Sequence, residues 1–179
     1  MIAFLRPVLL CGLLAAASSQ AADPGNPQID YDGFARTVEQ VRQLRAARRV
    51  SEGEFLRLAA LPGTVILDAR SERLFRMRHV ASAVNLSFPE FTEATLAAVI
   101  PSRETRVLIY CNNNFVGLPE SMPAKAIASA LNVSTFVSLY AYGYRNVYEL
   151  GPALDPATAR LRFAGEEIAR SSVPSRRPG

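Results

Sequence analysis

Few side chains in this sequence could do covalent chemistry, and Cys111 leads them. It ends the run Val107-Leu108-Ile109-Tyr110-Cys111, an unbroken apolar stretch that reads as a buried strand. The polar residues Asn112, Asn113 and Asn114 follow at once. A strand that ends this way places its thiol at the carboxyl edge of a sheet, where open α/β sheets bind ligands. The thiolate is the reactive form of such a group. His79 is the single histidine. Nothing in the spacing pairs it with the cysteine. One cysteine and one histidine make no convincing metal site, and no metal or cofactor is expected. Asp68 and Arg70 close an earlier apolar run near the same edge. They read as a buried ion pair or a loop brace.

The other cysteine, Cys11, lies in a stretch that resembles a secretory leader. Arg6 supplies a positive start, Val8 to Ala17 an apolar centre, and Ser19-Gln20-Ala21 the small residues of a cleavage site. Residues 1–22 are expected to be removed and the protein exported, periplasmic or secreted. The apolar stretch is shorter than the ~20 residues of a membrane span, so no stable membrane insertion is expected after cleavage. The remaining 157 residues suit one domain. One cysteine then cannot close an internal disulfide. In an oxidising compartment it is buried, paired between chains, or a working thiol, and its strand-end position favours the last. The formal charge of +4 is spread over scattered arginines, Arg42, Arg45, Arg48 and Arg49 early and Arg176 and Arg177 late. They read as solvated helix faces and a basic tail, not as a nucleic-acid surface.

The elements that must hold Cys111 follow from periodicity. Residues 23–49 read as a linker and a helix, whose stripe is Phe34, Val38, Val41 and Leu44. Ser51 and Glu54 have capping-box spacing and start a second helix, which Leu61-Pro62-Gly63 stops. Thr64 to Asp68 is a short non-alternating strand, Ser71 to Arg78 a short helix, and Ala83 to Leu86 another strand. A helix near Phe91 to Ile100 precedes the Val107 strand. Pro123 to Leu131 reads as a helix, Ser134 to Leu139 as a strand, and Tyr144 to Leu150 as a last short helix. Alternation of this kind predicts an α/β layered domain with a mainly parallel sheet. Its core would span residues 50–155, with 156–179 a partly disordered extension.

Four segments, in order, resemble the rhodanese family. Leu67-Asp68-Ala69-Arg70 is similar to its strand-ending Asp-x-Arg. Arg78-His79-Val80-Ala81-Ser82-Ala83-Val84-Asn85-Leu86 is similar to its Gly-His-Ile-x-Gly-Ala-x-Asn-Ile segment, which implies a structural hydrogen-bonding role for His79. Val107 to Cys111 looks like the strand that delivers the catalytic cysteine, and Tyr142-Gly143-Tyr144 like a Gly-Gly-aromatic motif after the last strand. The resemblance implies a twisted, five-stranded, mainly parallel sheet with helices on both faces. It also implies a cysteine that carries sulfane sulfur as a persulfide between a donor such as thiosulfate and a thiophilic acceptor.

The loop after Cys111 departs from the family's Cys-x-x-Gly-x-Arg. Asn114 stands at the glycine position and Val116 at the arginine position. If Ser121 is matched to the serine that starts the next helix, the loop is about four residues longer than usual. The expected substrate-binding residues are Asn112, Asn113, Asn114, Phe115, Val116 and Gly117. Lys125, on the first turn of the expected helix, is a substitute cation. Phe115, Val116, Leu118 and Met122 either line an apolar site or pin the loop to the domain. Without the loop arginine a phosphate ester is disfavoured as substrate. The reading is a sulfurtransferase using Cys111, with a small sulfur compound or a protein thiol as partner. The alternatives are an inactive binding module with the same fold, and a thiol redox partner.

Overall fold

The computed structural model describes residues 25–171. The expected leader with Cys11, and the tail after Ser171, lie outside the described residues. Residues 25–30 hold a turn in which the Ile29 N–H donates to the Asn26 carbonyl at 2.9 Å.

From Tyr31 the chain alternates helix and strand. Helix α1 (Tyr31–Ala47) is followed by β1 (Arg49–Val50) and α2 (Glu52–Ala59). In α1 the lower half of the stripe packs, with Val41 buried and Leu44 against it, while Phe34 and Val38 stay exposed. Ser51 caps α2 by accepting the Glu54 N–H at 3.2 Å. The capping box is only half made, because the Glu54 carboxylate pairs with Arg57 instead. Next come β2 (Thr64–Asp68), α3 (Glu72–Met77), β3 (His79–Val80), β4 (Val84–Asn85), α4 (Glu93–Val99) and β5 (Arg106–Tyr110). The last part holds α5 (Leu131–Ala141), β6 (Val147–Leu150), β7 (Phe163–Ala164) and α6 (Glu166–Ser171).

Five strands form one parallel sheet in the order β1-β6-β5-β2-β4. Helices cover both faces. Val41 of α1, Leu96 of α4 and Phe136, Val137 and Leu139 of α5 pack with Val107, Ile109 and Val147 on one side. Phe55 and Leu58 of α2 pack with Ile66, Leu108 and Leu150 on the other. β3 and β7 make a separate antiparallel pair. Its entry to α6 passes through Gly165 at φ +117, where a Cβ would lie 2.6 Å from the Met77 carbonyl oxygen.

Several expected elements change. Ser134 to Leu139 is not a strand but the middle of α5. α1 covers one side of this helix and the sheet the other, and it buries polar Asn132 and Thr135 beside Phe136, Val137 and Leu139, so its pattern loses the helical period. Tyr144 to Leu150 is not a helix but leads into β6, next to the central strand. Tyr142-Gly143-Tyr144 therefore precedes the last strand of the sheet. The expected helix from Pro123 to Leu131 does not form: Leu131 opens α5, and the run up to Ala130 is irregular apart from a 3-10 turn at Ile127–Ser129. Its apolar stripe has nothing to pack against, and Ile127 is 89% exposed.

Candidate active site around Cys111

Cys111 directly follows β5, the middle strand of the sheet. Along β5, Val107 and Ile109 face the α1/α5 side, and Leu108 and Tyr110 the α2 side. The extended backbone of Cys111, φ −145 and ψ −176, carries this alternation one step further. The thiol therefore turns to the α1/α5 side. There it lines a cavity of about 410 Å³, together with Asn113, Asn114, Asn132, Glu149, Arg45 and Arg49.

Asn114 ties the cavity floor together. Its Oδ1 accepts the Cys111 N–H and one Asn132 amide N–H, both at 2.9 Å. Its Nδ2 donates to the Leu150 carbonyl at 2.8 Å and the Pro152 carbonyl at 3.1 Å. One side chain thus joins the cysteine, the first turn of α5 and the end of β6. The amide orientation is fixed, since a flip would oppose donors to donors and acceptors to acceptors.

The cavity acts on the sulfur in opposing ways. Burial pushes the Cys111 thiol above its ordinary pKa. The backbone N–H groups of Asn132, Asn113 and Leu131 pull it back down, and the Glu149 carboxylate adds to the rise. Two of those N–H groups belong to the first turn of α5, whose dipole also favours an anion. Glu149 is itself buried. Arg45 grips it through two contacts of 2.7 Å, and Arg49 stands 3.7 Å away.

The other expected residues divide into separate settings. Asn113 lines the cavity, and its amide clamps the Lys125 backbone at 2.8 and 3.0 Å. Lys125 is not on a helix, and it lines a neighbouring cavity of about 270 Å³ with Arg70, Ser87, Phe88 and Asn112. Asn112 is buried and faces Arg70. Phe115 points into the α2-side core against Tyr110 and Phe163. Val116 is exposed and bonds through its backbone to Leu154, and Gly117 turns the chain at φ +75. None of these last three lines the Cys111 cavity. Met122 is buried with Phe115, and Leu118 packs beside them, so three of the four apolar loop residues pin the loop. Ser121 is buried within that loop and starts no helix. The irregular run from Cys111 to α5 is thus much longer than the four-residue excess read from Ser121.

Asp68, Arg70 and Tyr110 form a buried network beneath the loop. Arg70 binds Asp68 at 2.6 Å and donates to the Ser121 carbonyl at 2.9 Å and the Arg78 carbonyl at 2.7 Å. The Tyr110 hydroxyl donates to Asp68 at 2.5 Å. Burial, then the Asp68 charge, push its pKa well up. Arg70 is a brace between three segments. His79 stacks on Phe75, with ring centroids 3.8 Å apart, and its Nδ1 lies 2.8 Å from the Phe75 carbonyl oxygen. It does not line the Cys111 cavity.

A sequence profile of the Rhodanese-like domain matches residues 51–150, more than half of the chain. The chain belongs to the rhodanese-like domain family. Solved structures similar to this rhodanese-like domain include the Alr3790 protein from Anabaena sp., at 14% identity and a TM-score of 0.46, covering 68% of this chain and 96% of that one. Protein hp1203 from Helicobacter pylori has 17% identity and a TM-score of 0.45, covering 69% and 94%. A rhodanese with anions from E. coli has 19% identity and a TM-score of 0.38, covering 57% and 99%. No curated protein matches the chain.

Four residues of the site are not predicted by the sequence patterns: Arg45 and Arg49, which read as solvated surface, and Asn132 and Glu149, which carry no motif. The available signal was Val147-Tyr148-Glu149-Leu150. Read as a parallel strand, it would have required a buried carboxylate and hence a basic partner.

Proposed function

We propose that this rhodanese-like domain is a sulfurtransferase that carries sulfane sulfur on Cys111. The observation that supports this most is the thiol's position: in the wall of an open cavity, at the first turn of α5, with three backbone N–H groups acting on the sulfur. The thiolate attacks the outer sulfur of a donor. With thiosulfate a new S–S bond forms, the donor's S–S bond breaks, and sulfite leaves with the bonding electron pair. An acceptor thiolate then takes the outer sulfur and returns the Cys111 thiolate. Burial and Glu149 disfavour the thiolate, so attack should be slow at neutral pH and quicken in base.

The protein then acts after export, with a small sulfur compound or a protein thiol as partner. The leader-like run of residues 1–22 supports export. Among the described residues no helix is long and apolar enough to cross a membrane.

Intact mass measurement tests the activity. Protein incubated with thiosulfate, or with a low-molecular-weight persulfide, should gain one sulfur atom, and Cys111→Ser should gain none. Absence of loading from both donors would overturn the proposal and favour a binding module. A mixed disulfide at Cys111 without sulfur loading would favour a redox partner.

A further inference from the structure

The loop after Cys111 supplies no cation to the sulfur, yet the cavity is not without positive charge. Its charged lining, among the described residues, is Arg45, Arg49 and Glu149. Arg45 comes from the last turn of α1 and Arg49 from β1. Both precede the residues matched to the family. Their roles differ by geometry. The Arg45 side chain is one-quarter exposed and holds Glu149 at 2.7 Å through two nitrogens. It is committed to neutralising a buried carboxylate, which would otherwise be costly. Arg49 is 50% exposed, 3.7 Å from the same carboxylate, and has one long contact of 3.4 Å to the Gly151 carbonyl. Register places Arg49 beside Glu149 in the sheet, on the face that Cys111 shares. Two guanidinium groups against one carboxylate leave one positive charge, and Arg49 is the group free to turn toward solvent.

We propose that Arg49 is the substrate-binding cation of this site, and that it favours sulfur compounds bearing an anionic group near the reacting sulfur over neutral ones. This rests on Cys111 being the reacting group, but not on persulfide formation. The cation then reaches the sulfur from the strand edge, across the cavity, and not from the loop that carries the cysteine. Glu149 reduces the two guanidinium charges to one net positive charge, so the preference for an anion over a neutral compound is modest.

Alkylation of Cys111 measures this without any sulfur transfer. Iodoacetate carries the anionic group and iodoacetamide is its neutral counterpart, so the ratio of their rates reports the charge at the sulfur and cancels changes in thiol ionisation. In Arg49→Gln the ratio should fall about threefold, the size of a solvent-exposed ion pair. Arg49→Lys should keep most of it. Arg42→Gln removes a charge from an exposed Glu39 pair on the same helix as Arg45, and it should leave the ratio as in wild type. An unchanged ratio in Arg49→Gln, or an equal fall in Arg42→Gln, would overturn the proposal. So would a Cys111 that neither reagent reaches, since a closed cavity delivers no anion to the sulfur. Persulfide loading is measured separately, so failure of the sulfurtransferase reading leaves this result interpretable.

Discussion

Asn132 donates a side-chain N–H to Asn114 Oδ1 at 2.9 Å. This contact joins the first turn of α5 to the residues just after Cys111. The same Asn114 oxygen holds the Cys111 N–H, so the cysteine backbone and the helix N-terminus share one acceptor. The asparagine at the family's glycine position is therefore a cross-link in this chain. It sets the distance between the sulfur and the N–H groups that stabilise its anion.

Asn114→Ala should cost about 2–3 kcal/mol, because it removes the partner of two N–H groups and two carbonyls. Urea unfolding monitored by circular dichroism gives the value. Iodoacetamide alkylation of the folded variant should also lose its wild-type pH profile, as α5 drifts from the sulfur.

The raised thiol pKa of Cys111 has a consequence for stability. In the unfolded chain the thiol ionises near about 8.5, while burial keeps it protonated to higher pH when folded. The folded state thus holds more protons above the unfolded value, and stability falls as pH rises. The contribution is complete below the unfolded pKa and is lost as pH rises through the folded one. Wild type should lose more stability than Cys111→Ser between pH 7 and 9.5. Parallel loss in both, by urea unfolding at the two pH values, would contradict it.

Glu149→Gln removes a negative charge that raises the Cys111 pKa, and it frees the charge of Arg45. Iodoacetamide should then modify Cys111 severalfold faster at pH 7, with the rate profile moved to lower pH. Thermal stability should fall, because a buried pair has lost one ion.

Gly165→Ala probes the second, two-stranded sheet. A Cβ there meets the Met77 carbonyl oxygen at 2.6 Å and the Arg76 carbonyl oxygen at 2.8 Å, on a backbone with positive φ. The variant should lose at least ~1–3 kcal/mol. The melting temperature measures this, and the rate of Cys111 alkylation below the transition should stay as in wild type.

The parts of the fold legible in the sequence were those with one clear environment. Thr64–Asp68 and Val107–Tyr110 are buried on both faces and read as unbroken apolar runs. Their carboxyl ends located Cys111, Asp68 and Arg70. The exchange of helix and strand after residue 120 has a physical cause. α5 is sandwiched between α1 and the sheet, so β-branched Val133, Thr135 and Val137 and the apolar Phe136 can follow closely on one another without showing a helical stripe. β6 carries Glu149 in its middle, which broke the apolar pattern expected of a buried strand. The cavity itself was out of reach for the same reason. Glu149 is acceptable there only because Arg45, distant in sequence, arrives beside it.

α1 and β1 put two guanidinium groups in the wall of the Cys111 cavity, although both elements lie ahead of residues 51–150. The charge around the thiol is therefore decided partly by what is attached to the domain. A second protein with the same cysteine loop, letter for letter, but a different preceding helix would show its sulfur to a different charge. Excising the matched hundred residues would keep the strand that ends at Cys111 and remove two of the three charged groups that, among the described residues, line its cavity.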